Sequence, residues 1–335
     1  MKETFENKIL GCLLGGLIGD AMGAPVEGWD REKIKAEYNW LCDFAGDGTD
    51  DSAIKMILCD AILKNDGYVT ADEFAQAFID VRDQYYELFF TPVRNMLHKV
   101  ECGISLPVNA GWGNMHSSSS AMSISPMGII NACNPRQAAI ETYDVAGLIH
   151  SGETGFCRDA ACAMAAGIAH AFIPEATVES VVEACTAYLH RASAAEMSGL
   201  IERALQWAKE TNDYEAFCEK YHAEGRQTLI CDSRETVPAA LALFYLAAGD
   251  LAKTIEYGAN FGRDADTIAT MAGALAGAYS GADGLRPAWV EKLKTTGAYD
   301  RQKELAGKLA DISVRKANEQ VRCAGLCKAV GEDEK

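Results

Sequence analysis

The chain has 335 residues, of which 49% are hydrophobic, and carries a formal net charge of −17 at pH 7. This length and hydrophobic content suffice for one large domain, or two small ones, with a substantial core. The acidic balance and the scattered basic residues argue against a nucleic-acid partner, because no stripe of lysine and arginine is available to neutralise a phosphate backbone.

Cysteine usage and the amino-terminal composition indicate a cytoplasmic protein. The 12 cysteines are interpreted as reduced thiols, because a chain of this length needs no disulfide cross-links and no CxxC pair occurs. The amino terminus is polar and acidic, and the apolar stretch after it is interrupted by glycines and by Asp20. Since no apolar run reaches the length of a membrane span, we expect neither a signal peptide nor a membrane partner.

The first predicted helix has apolar residues at helical spacing over residues 9–22 and ends before Pro25. Glu27 therefore falls on the loop that follows a buried helix. Asp20 lies in the last turn, where a carboxylate is unfavourable against the helix dipole unless another group pairs it. Two interpretations remain open for Asp20: a buried structural hydrogen-bonding residue, or a residue that supports a metal site from behind.

Two acidic stretches open predicted helices at distant points in the chain. Residues 46–51 read Gly-Asp-Gly-Thr-Asp-Asp, and residues 264–267 read Asp-Ala-Asp-Thr. One Asp or Thr at a helix start is an ordinary cap, but further carboxylates add repulsion unless a cation lies among them. Oxygen ligands without Cys or His favour Mg²⁺, Mn²⁺ or Ca²⁺ over Zn²⁺, and their number favours two ions. The candidate ligands are Thr49, Asp50, Asp51, Asp264, Asp266 and Thr267.

The middle of the chain contains a segment that is typical of a pocket lining. Residues 105–127 combine glycines, Pro107 and four successive serines with apolar side chains such as Trp112 and Met122. This mixture cannot sustain a long helix and is too apolar for a linker, so it predicts an ordered loop. The next helix starts at Asn134-Pro135 and runs to His150, where a lone histidine is more often a structural cap than a ligand.

The remaining segments are predicted to be helical. A capping box opens a helix at Thr70, an alanine-rich helix covers residues 159–172, and two helices between residues 287 and 320 are separated near Gly297. Residues 323–335 are expected to form a frayed tail. Because no alternating strand pattern, fixed repeat or GxGxxG motif appears, the sequence predicts an all-α fold rather than a dinucleotide-binding sheet.

Three motifs together carry a family resemblance. They are residues 17–27 (Leu-Ile-Gly-Asp-Ala-Met-Gly-Ala-Pro-Val-Glu), Thr49-Asp50-Asp51, and Asp264-Ala265-Asp266-Thr267 followed by small residues. In this order they resemble the ADP-ribosylglycohydrolase family, which includes the enzyme that reactivates dinitrogenase reductase. The resemblance implies a single compact multi-helix domain over residues 1–322, with a central cleft that holds two metal ions.

The same resemblance assigns roles to individual residues. Two Mg²⁺ ions, or Mn²⁺ in their place, would hold the ribose 2′ and 3′ hydroxyls, while Glu27 and Asp51 would be catalytic. A family loop that cradles ADP-ribose reads Asn-Gly-x-x-Met-Arg-x-x-Pro-x-Gly, whereas this chain has serines at the Asn, the first Gly and the Arg. Arg263 is expected either to pair with a ligand carboxylate or to contact a substrate phosphate. The implied substrate-binding residues are Trp112, Ser118, Ser119, Ser120, Met122, His150 and Arg263.

The expected function is metal-dependent hydrolysis of an N-glycosidic bond to ribose, with removal of ADP-ribose from a protein side chain or a small acceptor. The serine substitutions keep open an alternative, a hydrolase of a smaller N-riboside such as a nucleoside. A further alternative is a non-catalytic, crystallin-like structural or ligand-binding protein, but such a protein would be expected to have lost metal ligands, and all six are present.

Overall fold

Helices form nearly all the regular structure between residues 2 and 332, the part of the chain that the computed structural model describes. Within these residues there are 17 α-helices, a few short 3₁₀ turns and no β-strand, which confirms the predicted all-α class. The helices are α1 (Lys2–Gly23), α2 (Arg31–Tyr38), α3 (Asp50–Lys64), α4 (Ala71–Asp80), α5 (Arg82–Tyr85), α6 (Thr91–Glu101), α7 (Ser125–Ile130), α8 (Pro135–Val145), α9 (Gly155–Ala171), α10 (Val178–Ala187), α11 (Ala195–Thr211), α12 (Tyr214–Glu224), α13 (Ser233–Leu246), α14 (Leu251–Ala259), α15 (Ala265–Ser280), α16 (Pro287–Thr295) and α17 (Ala298–Glu332).

The two central helices, α1 and α15, run antiparallel with their backbones in direct contact. A Cβ atom added at Gly15 would lie 2.2 Å from the carbonyl oxygen of Gly273, and one added at Gly19 would lie 2.2 Å from that of Ala269. Non-bonded atoms do not approach this closely, so no side chain fits at either position. Small residues four positions apart lie on one helix face, and this face of α1 therefore docks directly against α15.

This contact fixes the ends of three segments relative to one another. At the end of α1, a Cβ atom on Gly23 would lie 2.3 Å from Cα of Asp266, so the loop that carries Glu27 leaves α1 beside the start of α15. One turn earlier, the buried Asp20 accepts hydrogen bonds from the backbone N–H groups of Thr49 and Ser52, each at 2.9 Å. Helix α1 therefore holds the amino-terminal ends of both α15 and α3.

Helix α1 resembles a membrane-spanning helix in its length and apolar composition. Residues Glu3–Val26 are long and apolar enough to span a membrane, contrary to the expectation from the sequence. An 18-residue window within them has a mean hydropathy of 1.6, but 89% of that window is buried inside the fold. A core helix can have the same length and composition, so this single helix is weak evidence for a membrane span.

The predicted helix boundaries agree with the structure at several places and fail at the carboxyl terminus. The capping box at Thr70 is present, with the Glu73 side chain accepting from the Thr70 backbone. Gly297, with φ of 71°, separates α16 from α17 as expected. A frayed tail was expected from residue 323, whereas the structure continues α17 as a helix to residue 332, with residues 323–331 exposed. Residues 333–335 lie outside the described part, and the domain boundary at residue 322 stays a prediction.

The close approach of α1 and α15 generates a stability prediction. Gly15→Ala should lower the free energy of unfolding by about 1–3 kcal/mol, because the added methyl group overlaps the Gly273 carbonyl. The matched control is Gly199→Ala in α11, where a Cβ atom meets nothing within 4 Å. That variant should gain about 0.5–1 kcal/mol from helix propensity. Urea unfolding measures both, and equal effects would contradict the proposed backbone contact.

Candidate functional site

A cavity of about 420 Å³ lies at the point where α1, α3 and α15 meet. Its acidic wall comes from the loop after α1 and from the first turns of α3 and α15. Residues 87–91, Arg94, residues 117–119, Met122 and residues 230–231 complete its lining. The residues of the acidic wall are Glu27, Asp50, Asp51, Asp264, Asp266 and Thr267.

The structure brings the two predicted acidic stretches together. Carboxylate oxygens of Glu27, Asp264 and Asp266 lie within 4.8 Å of one another. The Thr267 hydroxyl donates to Oδ2 of Asp51 at 3.4 Å, which links α15 to α3. Thr49 does not line the cavity, but its hydroxyl donates to the same Asp51 oxygen at 3.4 Å. Residues 216 positions apart thus form one cluster of oxygen atoms.

Burial makes this cluster electrostatically unfavourable in its ionised form. Burial and the nearby Asp20 raise the pKa of Asp50 to about 6. Burial, and then Asp20 and Asp266, raise the pKa of Asp51 well above its usual value. The pKa values of Asp264 and Asp266 are also well above the usual range, first because of burial and then because of neighbouring carboxylates. Crowded buried carboxylates either take up protons or require a cation.

The oxygen atoms without partners fit a divalent cation. Four buried carboxylate oxygens have no hydrogen-bond partner among the described residues, one each on Asp50, Asp51, Asp264 and Asp266. Each such acceptor carries an unrecovered desolvation cost. Carboxylate and hydroxyl oxygens are the ligands that hard cations such as Mg²⁺ prefer, so the donor set fits the predicted type of metal.

Asp20, in the last turns of α1, positions the part of the acidic cluster that lies at the start of α3. Its side chain is fully buried and accepts the backbone N–H groups that open α3. Gly48 precedes this contact with φ of 86°, and a Cβ atom there would lie 2.4 Å from the Asp20 carboxylate. Only glycine suits this conformation and space. Asp20 is therefore a structural hydrogen-bonding residue that holds Asp50 and Asp51 in place.

The serine loop forms part of the cavity wall, but its hydroxyls are engaged within the protein. Ser118, Ser119 and Met122 line the cavity as predicted. The Ser118 hydroxyl donates to the carbonyl oxygen of Cys231 at 2.9 Å, and the Ser119 hydroxyl lies 2.9 Å from that of Ser117. These contacts leave the two hydroxyls poorly placed to replace the arginine of the family loop.

His150 and Ser120 support this loop from behind, and their predicted placement in the substrate pocket is wrong. Neither residue lines the cavity. The His150 ring is fully buried, with Nδ1 2.6 Å from the Ser120 hydroxyl and Nε2 3.1 Å from the Ser117 hydroxyl. Burial lowers the pKa of His150 to about 3, so the ring is neutral. A neutral imidazole has one donor and one acceptor, which suits a bridge between two hydroxyls.

Arg263 is also a positioning residue, and its partner Glu235 is neither a proposed metal ligand nor a substrate phosphate, the two contacts predicted for it. Its guanidinium makes two 2.8 Å contacts with the carboxylate of the fully buried Glu235 and does not line the cavity. Its backbone adopts φ of 65° and is held by two hydrogen bonds of 2.7 Å, one from the N–H of Gly28 and one to the carbonyl oxygen of Trp29. Arg263 therefore ties the Glu27 loop to the start of α15.

Trp112 lies away from the cavity, which corrects the prediction that it binds substrate. Trp112 is 62% exposed and does not line the cavity. Its ring lies over Gly152, and its backbone pairs with Ser151. The prediction failed because an apolar residue in an irregular segment can pack on the surface as well as in a pocket.

The segment before and within α6 was not anticipated as part of the site. Residues 87–91 and Arg94 line the cavity, and Arg94 is the only lysine or arginine in the described lining. Its Nε donates to the carbonyl oxygen of Tyr86 at 3.2 Å, and its Nη2 donates to that of Glu87 at 2.7 Å. The sequence offered one weak signal, the helix start at Thr91-Pro92 directly after an apolar run.

Helices packed around a carboxylate-lined cavity define an all-α protein with a candidate site for hard cations. The sequence model of the ADP-ribosylglycohydrolase family matches residues 1–319, and the chain belongs to that family. It is 29% identical over 322 residues to the uncharacterized protein YegU of Escherichia coli (strain K12), with 88% of this chain and 93% of that protein covered. It is 24% identical over 323 residues to the ADP-ribosylhydrolase ARH3 of Homo sapiens, with 84% and 88% covered.

A solved structure shows the same fold. The chain described as "ADP-ribosylglycohydrolase-related protein complex" superposes with a TM-score of 0.69 at 21% identity. The alignment covers 93% of this chain and 99% of that one. The shared helical architecture therefore extends over nearly the whole of both chains.

The ion pair of Arg263 generates a prediction that separates positioning from substrate contact. Arg263→Met should destabilise the protein by about 3–5 kcal/mol, because it leaves the buried Glu235 carboxylate without its cation. The double variant Arg263→Met/Glu235→Gln should recover much of that loss, because the buried charge is gone. Urea unfolding of the single and double variants tests this. A variant of unchanged stability that only binds substrate more weakly would favour the original placement in the pocket.

Proposed function

We propose that this protein is a metal-dependent hydrolase that cleaves the N-glycosidic bond between ADP-ribose and an acceptor. The observation that carries the proposal is the cluster of buried carboxylates, four of them with an unpartnered oxygen, on the wall of a cavity large enough for a ligand. Membership of the ADP-ribosylglycohydrolase family and similarity to a protein named ADP-ribosylhydrolase support ADP-ribose as the released group. The acceptor is a protein side chain or a small molecule, and the expected compartment is the cytoplasm.

Two Mg²⁺ ions, or Mn²⁺, are the proposed cofactors. The residues that would hold them are Thr49, Asp50, Asp51, Asp264, Asp266 and Thr267. Bound divalent cations at this position would supply positive charge that orients the ribose hydroxyls and acidifies a water molecule.

The protein's own side chains provide the proton chemistry and stabilise charge. Cleavage of an N-glycoside passes through an oxocarbenium-like state, in which C1 of ribose becomes positive. The carboxylates of the acidic wall favour that positive charge electrostatically. Burial, and then Asp20, raise the pKa of Glu27, which suits a group that accepts a proton from the attacking water. Asp51 lies deeper, between the hydroxyls of Thr49 and Thr267, and is proposed to fix the ribose-binding end of the cavity.

Arg94 is the group in the cavity best suited to the diphosphate of ADP-ribose. Arg263 is held by the buried Glu235, and the serine hydroxyls are occupied within the loop. Arg94 also has partners, the carbonyl oxygens of Tyr86 and Glu87 and, at 3.8 Å, the Glu87 carboxylate. Its side chain is 38% exposed, however, against 15% for Arg263, and its carboxylate partner lies on the surface. A guanidinium forms charge-assisted hydrogen bonds with phosphate that are about twice as strong as neutral ones. Leu88 and Phe90 line the cavity near Arg94 in sequence and offer apolar contact to a nucleobase.

A second candidate function is hydrolysis of a smaller N-riboside such as a nucleoside. One observation favours it: the serine loop has a serine, and no cation, at the position where the family motif has arginine. A non-catalytic, crystallin-like role is less well supported, because all six proposed ligands are retained and five of them line the cavity.

The metal proposal predicts opposite effects of one variant in two buffers. In chelator, Asp266→Asn should be at least as stable as the wild-type protein, because it removes one of several crowded carboxylates. In millimolar Mg²⁺ the order should reverse, because only the wild-type protein gains stability from the ion. Thermal unfolding measures the wild-type protein, Asp266→Asn and the exposed control Asp300→Asn in each of the two buffers. Equal responses to Mg²⁺ in all three proteins would contradict the proposed site.

Glu27 should act on turnover rather than on metal affinity. Glu27→Gln is expected to lower kcat by about 10²–10⁴-fold, as for loss of a general base. Mg²⁺ affinity should fall much less than turnover, since Asp50, Asp51, Asp264 and Asp266 remain on the cavity wall, even though Glu27 lies within 4.8 Å of the last two. Calorimetric titration of Mg²⁺ and a steady-state assay separate the two effects. If affinity and turnover fall together, Glu27 is a metal ligand.

Arg94 should determine whether the diphosphate is recognised. Arg94→Gln should weaken ADP-ribose binding by about 10–100-fold, which corresponds to the loss of hydrogen bonds to a charged group. Binding of adenosine, which lacks phosphate, should be unchanged. Calorimetry on metal-loaded protein measures both, and the exposed Arg322→Gln is the control for the change in charge. Failure to bind ADP-ribose together with cleavage of a nucleoside would establish the second candidate instead.

A further inference from the structure

A second cavity, of about 390 Å³, lies between α8, α9 and the segment that follows α10. Arg136, Ala139 and Ile140 from one face of α8, and Asp159 and Cys162 from α9, form two of its sides. Residues 187–191 form the third side. The small side chains at positions 139 and 162 leave the space open. None of these residues lines the carboxylate cavity, so the two cavities are separate sites.

This second cavity is positively charged in a strongly acidic protein. Arg136 and Arg191 line it, against the single carboxylate of Asp159. Neither arginine has an ion-pair partner within residues 2–332. By contrast, Arg82, Arg226, Arg234 and Arg315 each pair with a carboxylate. Two guanidinium groups without an ion-pair partner at one opening favour an anion, and a phosphate in particular.

Asp159 supplies an unmet hydrogen-bond acceptor at the same cavity. The residue is 1% exposed, and its Oδ1 accepts a hydrogen bond from the Ser193 hydroxyl at 3.2 Å. Its Oδ2 is buried and has no partner among the described residues. A buried acceptor without a donor is unfavourable, so this oxygen favours a ligand with an N–H group.

Aromatic side chains at the cavity favour a planar ligand. Tyr188 and His190 line it, and the guanidinium carbon of Arg136 lies 5.4 Å from the centre of the Tyr188 ring. The His190 ring is held edge-on at 4.9 Å from the ring of Tyr143. Flat aromatic and guanidinium groups stack on nucleobases of any kind. The volume also exceeds what a single inorganic ion requires and lies within the usual range for small-molecule sites.

We propose that this cavity binds a nucleoside phosphate, with an N–H group of the base directed to Asp159 and the phosphate held by Arg136 and Arg191. The base would lie against Tyr188 and His190. The site would then bind a ligand independently of the carboxylate cavity, and the proposal does not rest on the proposed hydrolase function. Inorganic phosphate alone would satisfy only the arginines, and an uncharged nucleoside would satisfy only Asp159 and the aromatic rings.

Calorimetric titration of the full chain in chelator, where the metal-dependent site is not loaded, tests this proposal. The ligands are AMP, GMP, adenosine and inorganic phosphate. At least one nucleotide should bind at least about tenfold more tightly than phosphate or adenosine. Arg136→Gln and Arg191→Gln should each weaken nucleotide binding by about tenfold, while Arg322→Gln, the same charge change on the exposed part of α17, should not. Asp159→Asn should weaken nucleotide binding and leave phosphate binding unchanged.

Three results would overturn the proposal. The first is the absence of nucleotide binding, and the second is equal affinity for phosphate and for the nucleotides. The third is nucleotide binding that survives Arg136→Gln and Arg191→Gln but is lost in Asp264→Ala, which would place the ligand in the carboxylate cavity. Because both arginines are exposed, their variants should fold even if Asp159→Asn does not.

Discussion

The site depends on one physical contact, the direct packing of the α1 backbone on the α15 backbone. Glycine at positions 15 and 19 removes every side chain that would separate the two helices. The contact continues to Gly23 and Asp266, so the end of one helix meets the start of the other. Glu27 and Asp266 become neighbours through this geometry and not through any attraction between them, since their like charges repel.

That arrangement places unfavourable charge in the middle of the core, and nearby groups reduce its cost. The N–H groups that open α3 bind Asp20, and the first turns of α3 and α15 favour negative charge through their dipoles. Lys55 is also fully buried, and although burial lowers its pKa, attraction to Asp20 and Asp51 opposes that shift. Without a cation, the cluster still weakens the fold, because one lysine faces several carboxylates.

The residues of the acidic cluster could be predicted from the sequence because each lies in a short motif whose residues are neighbours in the chain. Asp50 and Asp264 each belong to a short motif at a helix start, so their roles can be inferred from a few neighbouring residues. His150 and Arg263 were misassigned because their partners, Ser117 and Glu235, lie about 30 residues away along the chain. Arg94 was missed for another reason: its partners Tyr86 and Glu87 are near in sequence, but only the tertiary fold brings α6 to the cavity. Helix existence follows from periodicity, whereas the partners of polar side chains follow from the tertiary fold.

The absence of charge from the serine loop affects how the cavity can distinguish ligands with and without phosphate. The loop of serines is held by a neutral histidine between two hydroxyls, so it forms an ordered wall without charge. A neutral wall discriminates poorly between a phosphorylated and an unphosphorylated riboside, because neutral hydrogen bonds to phosphate are weak in water. On the proposed function, selection for a diphosphate would come from a cation elsewhere in the cavity, and Arg94 is the one that the described lining provides. Recognition of phosphate would then fall to the start of α6 and not to the loop before α7.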